Sequence, residues 1–456
     1  MRIKDIIKTD IAVIGGGPSG IMAAKAAAAE GKRVILFERN GFLGGCATNS
    51  LALPLMTFHA GDKQIIKGYA QELMDKIREY NGTLGHIIDP LGVGGTITPI
   101  DTEVYKFVTQ EYLLEAGVDL KFYSEVIDVE VENDKIFSML IKVRSGIYQV
   151  EAKRYIDASG NGDIAFLSGN PMKVGREKDG KCQPMSMMFK VGNVDIDKVI
   201  EYADKNPNEF VIHPQVDSLS KVKRIAVSGF FSIVNNACEN GNLKVNRDRV
   251  LFFESIKRGE IIVNMSRVID KIATREFDIS EATIEGRRQV FNIMNFFKKY
   301  LPGFENAVLL ETGCQIGVRE TRRIVGDYTL TEFDVVEGRN FDDAVAQGSW
   351  PIDIHDPEGK SLDIKGMKWG DYYEIPYRCL LPQNTTNLIV TGRAISATHE
   401  AFASVRVSPI CMALGQAAGT AAAISLDKNT DFRNVPYNLI YNTLIANNQS
   451  IDEKML

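Results

Sequence analysis

Cysteine and histidine are both scarce, with six cysteines and five histidines among 456 residues. The cysteines, at positions 46, 182, 238, 314, 379 and 411, are scattered, without a C-x-x-C pair or a clustered Cys/His spacing. This distribution excludes the usual spacings of zinc and iron–sulfur sites and of redox-active dithiols. We therefore predict no bound metal, and we expect reduced thiols in a cytoplasmic protein.

The sequence also lacks an excess of positive charge. It carries 53 Lys and Arg against 59 Asp and Glu, a net charge of -6, so it provides no basic field to attract nucleic acid. Residues 407–426 lack charge over a length that can cross a bilayer, but Ala and Gly dominate them and Leu, Ile and Phe are sparse. We predict a buried helix there and no membrane association.

The N-terminal region contains a dinucleotide-binding pattern. A predicted strand at 10–14 is followed by the turn GGGPSG, an Ala-rich helix, a second strand at 34–37 and then Glu38. Gly15 permits the turn, Gly17 lets a pyrophosphate approach the backbone, and Gly20 lets the helix pack closely. The helix N-terminus attracts the phosphates, and Glu38 is placed to accept ribose hydroxyls. The predicted contacts in this loop are Gly15, Gly17, Pro18, Ser19 and Gly20.

The residues after Glu38 distinguish FAD from NAD. The run 38–48 resembles the E-R-x-x-x-x-G-G-x-x-T continuation of glutathione-reductase-like FAD flavoproteins. The resemblance implies FAD contacts by Arg39, Gly44, Gly45, Cys46 and Thr48. Cys46 would lie near the flavin, although a small residue in a crowded loop is the simpler interpretation.

Later segments extend the resemblance. Residues 158–163, ASGNGD, are similar to a segment that returns to the cofactor in this superfamily, and 387–394 are similar to its late flavin-binding strand. A helix beginning near Ser408 would point its N-terminus at the flavin and stabilise negative charge there. The contacts implied by the resemblance are Val126 at the adenine, then Ala158, Gly160, Asp163, Gly392, Arg393 and Ser408.

The chain is too long for one simple core, and two or three structural units are expected. We predict an α/β fold with a Rossmann-like FAD-binding domain of the glutathione-reductase type and an inserted α+β substrate domain. The predicted limits are 1–180 for the first part of the FAD domain, with a 60–100 excursion toward the active site, 181–380 for the insertion, and 381–456 for the return of the FAD domain.

Three further segments resemble a bacterial family of FAD-dependent oxidoreductases, related to succinate-dehydrogenase-like and thiazole-synthase-like flavoproteins. They are GVRETRRIVG at 317–326, PIDIH at 351–355, and the run 396–406. The resemblance covers most of the chain. It implies hydride transfer between flavin N5 and a small organic substrate, and it leaves that substrate unidentified.

The candidate catalytic residues are His399, Arg319, His355 and Arg406. His399, between the flavin strand and the flavin helix, is placed to act as a general base, or else to hydrogen-bond a loop. His355 with Asp353 forms an oriented imidazole or a polar turn. One arginine of 319–323 clamps a substrate carboxylate, or all three form an internal ion-pair network. Asn264 and Arg267 are a second candidate substrate contact.

Two functions remain open at this point. The first is a dehydrogenase or reductase of a small molecule; the alternative is an electron-transfer or partner-binding flavoprotein. A thiazole-synthase-like use of the nucleotide as substrate has only the N-terminal pattern in its favour. No second G-x-G-x-x-G pattern precedes a helix. Electrons would therefore come from the substrate or from an electron-carrier protein, and homo-oligomer formation stays open.

Overall fold

The computed structural model describes residues 3–355 and 362–454. Its strands are β1 (Ile3–Ile14), β2 (Val34–Phe37), β3 (Leu55–Met56), β4 (His59–Ala60), β5 (Lys63–Gln64), β6 (Ile87–Ile88), β7 (Thr96–Thr98), β8 (Asp119–Lys121), β9 (Glu125–Glu132), β10 (Lys135–Val143), β11 (Gly146–Asp157), β12 (Met172–Val174), β13 (Phe189–Gly192), β14 (Ala226–Gly229), β15 (Val250–Glu254), β16 (Ile261–Val263), β17 (Val308–Thr312), β18 (Arg322–Ile324), β19 (Ala344–Gly348), β20 (Ile352–His355), β21 (Leu362–Lys365), β22 (Tyr373–Pro376) and β23 (Leu388–Val390). Its α-helices are α1 (Pro18–Ala29), α2 (Cys46–Asn49), α3 (Gly68–Glu79), α4 (Thr102–Glu115), α5 (Asp163–Leu167), α6 (Ile196–Lys205), α7 (Phe231–Glu239), α8 (Asp278–Tyr300), α9 (Glu332–Val336), α10 (His399–Val405), α11 (Ser408–Asp427) and α12 (Tyr437–Ala446).

A seven-stranded sheet organises the first part of the chain. Strand β1 pairs in parallel with β2 on one side and β11 on the other, and β8 and β23 extend the parallel part. Strands β9, β10 and β11 form an antiparallel meander. The buried end of β1 leads directly into α1, the crossover to β2. Parallel neighbours need such crossovers, and this topology confirms the predicted α/β class.

Helix α11 packs on α1 through two glycines. A Cβ added at Gly415 would lie 2.1 Å from the Ser19 carbonyl oxygen, and one added at Gly419 would lie 2.2 Å from that of Ala23. Within the described part of the chain, α11 alone is long and apolar enough to cross a membrane, and 94% of its apolar window is buried. A helix that is apolar on every side needs a protein interior around it, so α11 is the buried helix that its composition predicts.

The middle of the chain builds a second core. Its sheet, in the order β14-β15-β16-β13-β17, is antiparallel throughout. The accompanying cluster comes from residues 185–316, including side chains of α6, α7 and α8. Residues 330–381 pack into the first core instead. The domain limits at 180 and 380 stay a prediction, and the two cores favour an earlier end for the insertion, near residue 316.

The predicted 60–100 excursion contains helix α3 and several short strands. Strand β7 pairs with β3 and β6. The turn before β7 is fixed by Asp89, whose carboxylate accepts the backbone N–H groups of Leu91, Val93 and Gly94.

Candidate active site

The glycine turn after β1 has different requirements at each position. Gly15 has a φ of +99°, which a residue with a Cβ rarely adopts. A Cβ added at Gly20 would lie 1.8 Å from the Gly15 carbonyl oxygen, so this position serves helix–strand packing. Gly17 has an ordinary φ of -77°, and an added Cβ would meet only the Gly45 Cα, at 3.8 Å. The fold therefore does not itself require a glycine at position 17.

Helix α1 begins with Pro18 and Ser19 directly after Gly17. No side chain caps its N-terminus. Its first N–H groups and its dipole are therefore directed at the space beside Gly17, as anion-binding helices require.

Glu38 is buried at the end of β2 and shapes the loops around it. Its Oε2 accepts the Gly16 N–H at 2.7 Å, and its Oε1 accepts the Asn40 N–H at 2.8 Å. A carboxylate has further lone pairs, so ribose hydroxyls can still be accepted. The neighbouring Arg39 is exposed.

The second predicted glycine pair lies against the first turn. Gly44 and Gly45 both have positive φ, and a Cβ on Gly45 would lie 2.8 Å from the Gly17 Cα. Thr48 donates its hydroxyl to the Leu43 carbonyl at 2.8 Å and so braces the loop. Cys46 is exposed, with its Sγ 3.7 Å from the Ser408 Oγ. The structure thereby joins the loop after β2 to the start of α11.

Arg393 ties the later cofactor segments together. It donates to the carbonyl oxygens of Gly160, at 2.6 Å, and of Val318, and to Asn161 Oδ1 at 2.9 Å. Gly392, just before it, has a φ of +75°, and a Cβ there would lie 2.6 Å from the Ser19 Oγ. These contacts bring 160–161, 318 and 392–393 to the α1 side of the sheet.

The remaining predicted cofactor residues lie among contacts that hold the fold together. Asp163 accepts a hydrogen bond from Arg322 at 2.5 Å. Ala158 continues the sheet, donating its N–H to the Ile14 carbonyl at 2.9 Å. Val126 is partly buried in β9, just after Ser124, whose N–H reaches the Glu38 carbonyl at 3.0 Å. Their contacts with FAD stay predictions.

A cavity of about 360 Å³ lies where these segments meet the inserted part of the chain. It brings together seven predicted site residues and Asp353, the predicted partner of His355. The seven are Cys46, Asn264, Arg319, His355, Arg393, Arg406 and Ser408. The polar residues that sequence reasoning missed or left unassigned are Asp89, Ser186, Ser228, Arg247, Asp248 and Arg249. The cavity also has an apolar side, formed by residues such as Leu53, Leu91, Phe253 and Trp350.

Asp353 is the centre of a charged group in this cavity. Its Oδ2 lies 3.4 Å from Arg406 Nη2 and 3.5 Å from His355 Nε2. Burial and the neighbouring Arg319 lower the pKa of His355 to about 3, although Asp353 opposes the shift. Burial by itself would raise the pKa of Asp353, but His355, Arg406 and Arg319 hold it well below the usual range. The imidazole is therefore neutral beside a charged carboxylate and a charged guanidinium.

Arg319 and Arg247 meet at Asn264. Arg319 donates to Asn264 Oδ1 at 3.1 Å, and Arg247 donates to the Asn264 carbonyl oxygen at 2.8 Å. Arg319 also donates to the Pro184 carbonyl and to Ser186 Oγ. Sequence reasoning missed Arg247 because it lies in the charged run NRDR, which is typical of a solvated loop. Arg267, which was predicted with Asn264 as a substrate contact, is buried but does not line the cavity.

His399 lies elsewhere. It is 2% exposed, does not line the cavity, and its Nδ1 is 2.9 Å from Glu320 Oε1. Arg323 pairs with the same carboxylate oxygen, while Arg322 pairs with Asp163. The expected placement of His399 beside the substrate is thus not the geometry observed. Of the three arginines at 319–323, only Arg319 reaches the cavity; the other two form internal ion pairs.

The residues present fit FAD. The space beside Gly17 is one that a Cβ would fill, and the uncapped N-terminus of α1 faces it. At the other end, α11 also lacks a side-chain cap, and its Ser408 lines the cavity. Glu38, which binds the Gly16 N–H, lies on the other side of the turn, and Arg393 lines the cavity together with Ser408. An adenosine, a pyrophosphate and a flavin thus have matching partners in that order.

Curated proteins that resemble the chain fall into two groups. Digeranylgeranylglycerophospholipid reductase 1 of Methanosphaera stadtmanae is 28% identical over 218 residues, covering 43% of this chain and 48% of that protein. Thiamine thiazole synthase of Pyrococcus abyssi is 28% identical over 167 residues, covering 34% of this chain and 59% of that protein. The chain therefore matches only about half of the length of these relatives.

Solved structures align over almost the whole chain. A geranylgeranyl bacteriochlorophyll reductase-like protein from Thermoplasma acidophilum aligns with 97% of this chain and 83% of that one, at 14% identity and a TM-score of 0.48. The p-nitrophenol 4-monooxygenase from Pseudomonas putida aligns with 97% of this chain and 85% of that one, at 12% identity and a TM-score of 0.48.

The family itself follows from a match over nearly the full sequence. The pattern of the FAD dependent oxidoreductases fits residues 10–444, from the end of β1 to the last helix. This confirms the resemblance seen in the sequence and the predicted cofactor. The chain belongs to the FAD dependent oxidoreductase family.

Proposed function

We propose that the protein is an FAD-dependent oxidoreductase that exchanges a hydride with a small organic substrate held in the cavity of Arg319, His355 and Arg406. One observation carries the proposal. The same cavity is lined by residues of the cofactor path, Cys46 and Ser408, and by polar groups that this path does not use. A substrate there would contact the flavin end of the cofactor and the protein together.

Bound FAD supplies the hydride chemistry at its N5 position. The protein has to position the substrate, exclude water and handle a proton. Arg319 is held by three neutral acceptors, so its guanidinium is oriented before a substrate binds. The uncapped start of α11 favours negative charge at the flavin end.

His355 is the proton-handling group that the geometry favours over His399. It lines the cavity, and Asp353 and Arg406 form its polar surroundings. As a neutral imidazole it can accept a proton, and a bound anion would offset the arginine charges that lower its pKa. The scattered positions of the six cysteines favour reduced thiols, which supports a cytoplasmic location within this proposal.

The test begins with the visible spectrum of the purified protein, before and after denaturation. We expect a yellow protein that releases FAD. Anaerobic titration with hydroxy acids is expected to bleach the flavin, and enoates are expected to restore its colour after dithionite reduction; sugars complete the panel. Arg319→Met should slow either reaction strongly, whereas Arg288→Met, at an exposed site on α8, should not. A colourless protein that takes up no added FAD would overturn the proposal. A yellow protein inert to every compound would favour the electron-transfer alternative.

A further inference from the structure

Among the residues that the structure describes, the cavity lining carries more positive than negative charge, with five arginines and three aspartates. Arg249 is paired with Asp248 through two contacts, at 2.9 and 2.8 Å, and Arg406 is paired with Asp353 at 3.4 Å. Within residues 3–355 and 362–454, Arg247 has no carboxylate within ion-pair distance, and neither has Arg319. Arg393 also lacks a carboxylate partner within these residues, but Gly160, Asn161 and Val318 in the cofactor segments accept its hydrogen bonds. Arg247 and Arg319 are the two such groups on the substrate side of the cavity, with Asp353 near both but paired with neither.

Among the described residues, the groups that accept hydrogen bonds from these two arginines are all neutral. Arg247 is 4% exposed, donates to the Asn264 carbonyl, and has an Nε without a hydrogen-bond partner in the described structure. Arg319 donates to the Pro184 carbonyl, the Ser186 hydroxyl and the Asn264 amide. A buried cation without an opposite charge is strongly destabilising, and a ligand that supplies the charge removes that cost.

The shared contact at Asn264 keeps the two guanidinium groups close together. One uses the backbone oxygen and the other uses the side-chain oxygen of the same residue. Burial and the neighbouring Arg406 and Arg247 hold the pKa of Arg319 well below its usual value, although Asp353 opposes the shift. In the proposed cofactor path the phosphates would bind at the N-terminus of α1, so they would not supply an anion to these arginines.

The rest of the cavity restricts what the anion is attached to. Leu91 and Phe253 form a small apolar cluster with Ala226, and Met56 and Leu251 pack against it. Asp89, next to this cluster, uses its carboxylate to hold its own loop. A sugar would leave hydroxyls without partners on such a wall, and a cation would be repelled by the arginines.

From these contacts we infer that the substrate is an organic carboxylate with a compact apolar body, its carboxylate bound between Arg247 and Arg319. The inference rests on the proposed function, since it names the substrate class of the same cavity. Arginine matches a carboxylate through two parallel N–H donors, which fixes orientation as well as charge. The apolar body then lies against the Leu91 and Phe253 side.

The test is a calorimetric titration of the FAD-loaded protein with hexanoate, 3-phenylpropanoate and cinnamate. Their amides serve as neutral controls of almost the same shape, and phenyl phosphate tests a phosphate in place of the carboxylate. We expect at least one acid to bind, and its amide to bind about 10- to 100-fold more weakly. If acids and amides bind alike, if no acid binds, or if phenyl phosphate alone binds, the inference is overturned.

Variants locate the contact. Arg247→Met should weaken binding of the acid by a similar factor and leave binding of the amide unchanged. Arg247→Lys should recover part of the affinity for the acid. Arg288→Met should bind both as the wild type does. If Arg247→Met folds poorly, Arg247→Lys and Arg319→Lys replace it, and the readout is the ratio of the affinities for the acid and its amide. A ratio unchanged from wild type in both variants would contradict the inference. FAD content is measured by absorbance in each sample. A protein that binds the acids but takes up no FAD would contradict only the proposed function. A protein that binds FAD but none of the acids would contradict only the inference.

Discussion

His399 Nδ1 lies 2.9 Å from Glu320 Oε1 in the protein interior, and the Arg323 guanidinium pairs with the same oxygen. All three side chains are almost fully buried. Burial alone would raise the pKa of Glu320, but the bonds from His399 and Arg323 outweigh it and lower the pKa below the ordinary value. The group links α10 to the segment before β18, so its first effect is on structure.

We predict that His399→Ala lowers the free energy of unfolding by about 1–3 kcal/mol, because Glu320 loses a charge-assisted partner. His399→Asn keeps a hydrogen-bond donor close to the position of Nδ1, so its free energy of unfolding should fall clearly less than that of His399→Ala. Urea denaturation of both variants with FAD bound measures the difference.

The same variants separate a structural role from a catalytic one. If His399 were the base, both would stop flavin bleaching, whatever their stability. Equal, near-complete loss of bleaching in two stably folded variants would contradict our placement of His399.

Much of the cofactor region was predictable because its signals are local. Gly15, Gly20 and Glu38 are required by one turn and its two flanking elements, and these follow one another in the chain. The apolar composition of α11 likewise predicts its burial directly.

The substrate side was far less predictable, because its contacts are not local. Arg247 and Arg319 meet at Asn264 only after the inserted sheet has formed, and nothing in the run NRDR distinguishes a buried arginine from solvated ones. His399 shows the reverse problem. Its neighbours in sequence suggested a site near the flavin, whereas Glu320, distant in sequence, determines where the ring is bound.

Gly17 and Gly20 should respond differently to alanine. At position 17 the backbone conformation suits any residue and the added Cβ meets no protein atom closer than 3.8 Å. We expect Gly17→Ala to fold with a loss below about 1 kcal/mol. It should nevertheless bind FAD at least about 10-fold more weakly, because the methyl group takes the place of the pyrophosphate.

Gly20→Ala is the matched comparison. Its Cβ would lie 1.8 Å from the Gly15 oxygen, so α1 has to move and stability should fall by about 1–3 kcal/mol or more. Thermal melts without FAD and FAD titrations provide the two readouts. Unchanged FAD affinity in Gly17→Ala would place the pyrophosphate elsewhere.

His355 should make stability depend on pH. Its pKa in the folded protein is about 3, below its unfolded value near 6.5, so below pH 6.5 the unfolded chain binds a proton that the folded protein does not. The contribution of His355 to the free energy of unfolding is therefore complete above pH 6.5 and is lost as the pH falls toward 3. Replacing His355 removes this pH-dependent contribution.

We expect His355→Gln to flatten the fall in unfolding free energy between pH 6.5 and 4, as measured by urea titration at each pH. The other four histidines are unchanged in this variant, so the difference between the two curves reports the titration of His355. A variant curve parallel to that of the wild type would show that the folded pKa of His355 is ordinary. The neutral, buried site described above would then be wrong.

Cys46 should report cofactor binding through its reactivity. Cys46 and Cys314 are exposed, whereas burial raises the pKa of the Cys182 and Cys411 thiols to about 12. Of these four thiols, Cys46 and Cys314 are the two that a reagent can reach from solvent. Because Cys46 lines the cavity beside Ser408, bound FAD should cover it, and iodoacetamide should label it in the FAD-free protein and more slowly after FAD is added.

Cys314 is the internal control for this experiment, since it is exposed and does not line the cavity. Peptide mass spectrometry of one labelled sample compares the two sites directly. FAD should lower the labelling ratio of Cys46 to Cys314, and Gly17→Ala should restore it at FAD concentrations that saturate only the wild type. A ratio that FAD leaves unchanged would mean that the flavin end does not reach Ser408. The cavity of Arg319 and His355 would then lie too far from the reacting ring to hold the substrate.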